Sequence, residues 1–283
     1  MTYTIQHLKE NPGITFTGEY RLRGYQTFVS RSGARYGKGV LEDASGEMPL
    51  LNWSSSEPAI WDDYDVMSVE GLVQRLNYQT VVKIRVIEDR LVEGTDRGIQ
   101  LVPHSYACDP KVLQRCISLV EKIDTPALQR FCNALFCDLD FARLFFSVPA
   151  SRNHHHAFPG GLAAHSVAVA EAAARYPLLS RKERDLAIVG GLVHDAGKVI
   201  THDPARSHAV YLDHDLLALE RLSDPLKVLD SVDPDLADHL RHILTWKRAL
   251  PKTKPGTLPA IAVHAADCHD AAANDGTPPR QSR

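Results

Sequence analysis

The chain has no CxxC pair, and its five cysteines are an odd number, so neither a disulfide framework nor a zinc ribbon is indicated. Cys108, Cys116, Cys132 and Cys137 lie in apolar helical context and read as buried thiols. Neither sign of charge dominates. Against 35 Asp and Glu stand 32 Lys and Arg, net −3, which excludes a global basic field for nucleic acid and requires any such surface to be local. No apolar run approaches the ~20 residues of a membrane-spanning helix. Met1 to His7 lack the basic segment and apolar core of a secretory signal. The expectation is a cytoplasmic chain with no membrane partner.

What is present falls into two parts, and the expected fold class is α+β with two domains. Residues 1–103 read as a small β-barrel. An alternating, β-branched and aromatic run begins at Ile14, turn signals stand at Ser30–Gly33 and Asp43–Glu47, and strands follow at Tyr36–Glu42, Met48–Trp53, Val66–Leu76 and Val81–Val86. Five short strands in roughly 75 residues point to an OB-like fold. Glu57 to Asp65 reads as an acidic loop insertion. Pro103 to Asp109 reads as a linker, after which residues 104–273 follow helical spacing, with Asp124-Thr125-Pro126 as a helix stop and restart. Residues 274–283, rich in Pro, Gly and polar side chains, read as a flexible tail.

Charge is segregated within the barrel region. Residues 1–40 carry a net +4 and residues 41–72 a net −8. The basic part also holds Tyr20, Tyr25, Phe28 and Tyr36. Cations interleaved with aromatics suit a single-stranded nucleic acid, giving charge for phosphates and ring faces for bases. Tyr20, Arg21, Arg23, Tyr25, Arg31, Arg35 and Tyr36 are therefore candidate contacts to single-stranded RNA or DNA; ordinary strand aromatics with solvated arginines are the plainer alternative.

The densest chemistry runs from Asn153 to Lys198, where histidine and aspartate sit among small apolar residues. Burying ionisable groups without a partner is costly, and a metal ion is one partner that accounts for several at once. His165, the adjacent His194-Asp195 pair and Asp267 offer imidazole and carboxylate ligands for a divalent ion (Mn, Fe, Co, Ni, Zn or Mg), with Asp195 able to bridge to a second. Lys198 lies three residues after Asp195 and four after His194, on nearly the same helical face, where it suits a phosphate oxygen. Asp195 and Lys198 are the candidate catalytic residues.

This stretch resembles the HD superfamily of metal-dependent phosphohydrolases. The order is His165, then Gly190-Gly191-Leu192-Val193-His194-Asp195-Ala196-Gly197-Lys198, then His264-Ala265-Ala266-Asp267. A barrel followed by this domain, with His155-His156-Ala157-Phe158-Pro159-Gly160-Gly161-Leu162 leading into the first ligand, resembles the bacterial OB-plus-HD 3′→5′ exoribonucleases. The leader is also similar to the HD domain of conjugative-element relaxases. The resemblance implies phosphodiester hydrolysis of a single strand, His155 and His156 on the substrate side, and His214 as a further metal ligand.

The chain departs from the exonuclease pattern at one place. A His-His pair is expected after Ile243-Leu244-Thr245, and Trp246-Lys247 stands there instead. His239 and His242 are the nearest substitutes. The departure keeps two rivals in view: a phosphomonoesterase or nucleotidase, and a non-catalytic nucleic-acid-binding protein of a mobile element.

Overall fold

Side chains on a β-strand alternate between two faces, and in the first strand that alternation selects the barrel interior. β1 (Thr15–Val29) sends Phe16, Tyr20 and Leu22 inward. The computed structural model describes residues 3–53, 64–76, 79–88, 97–248 and 254–274. Four more strands complete the barrel: β2 (Arg35–Asp43), β3 (Gly46–Asn52), β4 (Asp65–Leu76) and β5 (Gln79–Glu88). They close in the order β1-β2-β3-β5-β4, with β4 pairing back onto β1 and β3 parallel to β5. This is the five-stranded Greek-key barrel of the OB type. The register places Tyr20 opposite Met67 and Phe28 opposite Tyr36.

A short helix, α1 (Ile5–Glu10), adds Ile5 and Leu8 to the barrel core beside Leu41, Met48 and Leu50. It is fixed by Thr4, whose hydroxyl accepts from the His7 N–H, and by Asp43, whose carboxylate accepts from the Ile5 N–H at 2.9 Å. Of the expected acidic insertion, 57–63 lies outside the described residues, as does the tail after Asn274.

The chain divides into two compact units, 1–105 and 106–283. The second is helical: α2 (Pro110–Val120), α3 (Pro126–Cys137), α4 (Leu139–Phe145), α5 (Gly161–Ala173), α6 (Arg181–Val193), α7 (Lys198–Thr201), α8 (His214–Arg221), α9 (Ser223–Val232), α10 (Pro234–Thr245) and α11 (Leu258–Asn274). Proline in the first turn, where no N–H partner is needed, opens α2, α3 and α10. Ser180 and Glu183 form a reciprocal capping box at the start of α6. Asp185, buried on α6, accepts from the Asp124 and Thr125 N–H groups and the Thr125 hydroxyl, and so pins the α2–α3 turn to α6.

Cys116 and Cys132 are buried, and burial pushes the Cys132 thiol up to about 12. Cys108 is exposed and Cys137 only half-buried, which corrects the uniform expectation for these thiols: both lie at element ends rather than on a core-facing stripe. Among the described residues no helix is long and apolar enough to cross a membrane.

Candidate metal centre and strand-binding face

Two close backbone approaches bring the histidines and aspartates together. A Cβ on Gly191 of α6 would lie 2.5 Å from Ala170 Cα of α5, so glycine there lets α5 and α6 meet and carries His165 to His194. A Cβ on Gly197 would lie 1.9 Å from His214 O, so glycine there lets α8 reach the turn after α6. α11 supplies Asp267 from the other side.

The resulting cluster is tight. His165 Nε2 lies 3.2 Å from His194 Nε2, 3.5 Å from Asp195 Oδ2 and 3.3 Å from Asp267 Oδ1. His194 Nε2 lies 3.5 Å from Asp195 Oδ2 and 3.7 Å from Asp267 Oδ1. With metal–ligand bonds of ~2.1 Å, neighbouring ligand atoms stand about 3.0 Å apart around an octahedral ion and about 3.4 Å around a tetrahedral one. His165, His194 and Asp195 therefore fit a single divalent ion, and Asp267 Oδ1 stands within 3.7 Å of both imidazoles. His194 Nδ1 donates to Gly191 O at 2.9 Å, which leaves its Nε2 lone pair facing the cluster.

The electrostatics agree with a cation site. Burial opposes the charge on Asp195, but His194, Lys198 and His165 outweigh it and hold the carboxyl far below its usual range. Asp267 is likewise depressed against its burial, chiefly by His165 and His194. Burial also opposes a charged His165, yet the carboxylates of Asp267, Asp270 and Asp195 raise its pKa to about 9. In the metal-free chain a proton thus partly supplies the positive charge that the carboxylates demand.

The two oxygens of Asp195 face different partners. Oδ2 faces His165 and His194 and accepts from Lys198 Nζ at 2.6 Å, whereas Oδ1 lies 3.7 Å from His214 Nε2. The same His214 Nε2 lies nearer to Asp215 Oδ1, at 3.4 Å. His155 sits at the rim, its ring 5.3 Å from His165, and burial together with nearby His165 and Lys198 lowers its pKa. His156 packs beside His165, ring centroids 5.5 Å apart, and its Nε2 lies 2.9 Å from Asp270 Oδ2. Asp270, with no flag in the sequence, is the principal residue that the sequence reasoning missed. Its only local signal is a position three after Asp267 on one helix.

The Trp246-Lys247 departure has a structural counterpart. Lys247 Nζ lies 3.8 Å from Asp267 Oδ2, and Trp246 packs against His264 with ring centroids 4.9 Å apart. An ammonium therefore flanks the site beside the last ligand. Neither suggested substitute joins it. His242 Nε2 accepts from the Gly256 N–H at 2.9 Å, and His239 is exposed near Glu183 and Asp233.

In the barrel, two candidate contacts are corrected. Tyr20 is fully buried on the inner face, donates to Tyr3 O at 2.6 Å and has its pKa raised by burial and by Asp43. Arg21 points outward but is only 5% exposed, because its guanidinium is covered and donates to Leu101 O and Tyr64 O, both at 2.8 Å. Both side chains hold the barrel together, and neither offers a surface to a strand. Arg23 is paired with Glu42 and Glu47, and Tyr25 lies partly buried over Gly37.

The exposed aromatic face lies elsewhere. Phe28, Tyr36 and Trp53 form a row across β1, β2 and the end of β3, with centroids 5.7 and 4.7 Å apart. Phe28 is 38% and Trp53 46% exposed. Lys38 Nζ lies 5.4 Å from the Phe28 ring and 5.5 Å from that of Tyr36, and Arg31 and Arg35 are exposed nearby in the β1–β2 hairpin. Trp53 was not among the sequence candidates, because only the strand register brings it onto Tyr36.

Residues 162–272 match the HD domain family model, and residues 125–182 match the model described as "Putative helicase" (TraI_2). The 3'-5' exoribonuclease YhaM of Listeria monocytogenes is 25% identical over 256 residues, covering 83% of this chain and 78% of that protein. YhaM of a Geobacillus species is 28% identical over 171 residues, covering 57% and 50%. Among solved structures, the second OB-fold domain of replication protein A from Methanococcus maripaludis matches with a TM-score of 0.27 and 18% identity, covering 33% of this chain and all of that one. The helical unit thus carries an HD domain over residues 162–272, and the chain is a metal-dependent hydrolase.

Proposed function

We propose that this chain is a nuclease that hydrolyses phosphodiester bonds in single-stranded nucleic acid, shortening RNA from its 3′ end. The observation that carries the reading is the convergence of His165, His194 and Asp195 within metal-ligand spacing, with the Asp267 carboxylate facing both imidazoles. The likeness to the YhaM exoribonucleases over most of the chain supports the choice of substrate class. A divalent ion held by His165, His194 and Asp195, with Asp267 beside them, would supply Lewis acidity and a water of lowered pKa. His165 and His194 would hold it through their Nε2 atoms, and the Asp195 and Asp267 carboxylates would balance its charge.

The remaining work falls to the chain's own cations. Lys198, held at Asp195, is placed to offer its ammonium to a non-bridging phosphate oxygen as negative charge grows in the transition state. Lys247 flanks the opposite side at Asp267. His155 contacts the leaving or entering nucleotide at the rim. On the barrel, Phe28, Tyr36 and Trp53 stack bases while Arg31, Arg35 and Lys38 neutralise phosphates.

The test is a 5′-labelled single-stranded RNA incubated with the chain and Mn²⁺. A ladder of stepwise shortening is the expected result. Turnover of mononucleotides alone, with no dependence on strand length, would replace this reading by the phosphomonoesterase, which a single-ion site flanked by Lys247 favours. Strand binding without turnover in any divalent metal would leave a binding protein.

A further inference from the structure

Asp267 and Asp270, three residues apart on α11, grip opposite nitrogens of one ring. His165 is fully buried; Asp267 Oδ1 faces its Nε2 at 3.3 Å and Asp270 Oδ2 faces its Nδ1 at 2.7 Å. A neutral imidazole carries one proton, and an ionised carboxylate only accepts. With an ion in the cluster the ring would be neutral, and Asp270, the nearer of the two carboxylates, would hold its one proton on Nδ1 and leave Nε2 to the ion. For His194 the Gly191 carbonyl does the same.

Asp270 has a second task. The same Oδ2 accepts from His156 Nε2 at 2.9 Å, while Oδ1 accepts from Asn274 Nδ2 at 3.2 Å. His156 Nδ1 is buried with no partner among the described residues, which agrees with its proton residing on Nε2. His156 also has φ +52°, a left-handed conformation that a non-glycine residue keeps only when its surroundings hold it. Asp270 is part of what holds it. Through His156 it ties the loop between α4 and α5 to the back of the ring that binds metal.

We infer that Asp270 is a positioning residue that fixes the metal-binding tautomer of His165 and latches the His156 loop with the same oxygen. The inference rests on the metal-site reading above. The competing arrangement, an ion held by His156, His165 Nδ1 and Asp270, has its donor atoms within 4.8 Å of one another. It would require His165 to give up Nδ1 to that ion, which the tautomer assigned here forbids.

The experiment compares wild type, Asp270→Ala and His156→Ala by Co²⁺ titration calorimetry, with limited trypsin digestion at the exposed Arg152 as the loop readout. Loss of such an outer-shell carboxylate weakens metal binding about 10- to 100-fold. Asp270→Ala is expected to show that loss together with faster cleavage after Arg152. His156→Ala is expected to cleave faster while its Co²⁺ affinity stays within about threefold of wild type, well short of the outer-shell loss. Equal Co²⁺ affinity in folded Asp270→Ala overturns the inference, as does an affinity loss in His156→Ala matching that of Asp270→Ala. Should Asp270→Ala not fold, ¹⁵N-histidine NMR of the Zn²⁺-loaded wild type decides instead: a protonated His165 Nδ1 supports the assignment, and metal on Nδ1 refutes it. A wild-type chain that takes no divalent ion removes the metal-site reading and the inference together.

Discussion

Replacing Trp53 and Arg21 separately distinguishes a strand-binding face from a structural brace, although both residues belong to the barrel's cation and aromatic inventory. Trp53 is 46% exposed and stacks on Tyr36 at 4.7 Å. Its removal deletes one ring of a three-ring platform and little core. A base–aromatic stack contributes about 1–3 kcal/mol, so Trp53→Ala should weaken single-strand affinity about 5- to 150-fold. Arg21 is 5% exposed and donates to two main-chain carbonyls. Charge-assisted hydrogen bonds contribute about 1.5–3 kcal/mol each, so Arg21→Ala should cost about 3–6 kcal/mol, a large share of a typical domain's stability of about 5–15 kcal/mol. The assay is fluorescence anisotropy of a labelled oligonucleotide with metal-free protein, which prevents cleavage, alongside thermal melting of each variant. Trp53→Ala should bind poorly and melt normally; Arg21→Ala should melt early. Wild-type affinity in both Trp53→Ala and Tyr36→Ala would refute the platform, and a normally melting Arg21→Ala that binds weakly would restore Arg21 to the strand-binding surface.

Asp195→Ala should abolish hydrolysis in a gel assay while leaving oligonucleotide affinity within about twofold, because the stacking and phosphate contacts assigned to the barrel carry binding. Lys198→Ala should lower kcat about 10²- to 10³-fold, the cost of one preorganised charge contact in the transition state. Metal affinity, followed by Co²⁺ titration, should tighten about tenfold per pH unit as pH approaches about 9, since His165 is protonated below that value in the metal-free chain and must release the proton to bind. Asp185→Ala leaves two N–H groups and a hydroxyl at the α2–α3 turn without their acceptor and should destabilise the helical unit by about 3 kcal/mol or more in urea unfolding.

The sequence by itself determined the two-part architecture. Strand alternation and helical spacing are imposed by chain neighbours, so both are readable from the residues alone. The order His165, His194-Asp195, Asp267 was legible for a related reason: metal ligands require specific atoms, and these stand out among Gly, Ala and Val. The same alternation already places Tyr20 on the inner face with Phe16 and Leu22, and pooling it with the other aromatics overlooked that period. Arg21 was different. It lies on the outward face, and Leu101 and Tyr64, distant in the chain, help to cover it. Tertiary structure likewise decided the aromatic row, because strand pairing rather than sequence spacing sets Trp53 on Tyr36. It also decided Asp270 and Lys247. Each is an ordinary charged residue until α11 packs against α5 and the end of α10 turns toward Asp267, where distances of 2.7 and 3.8 Å give them partners no local pattern encodes.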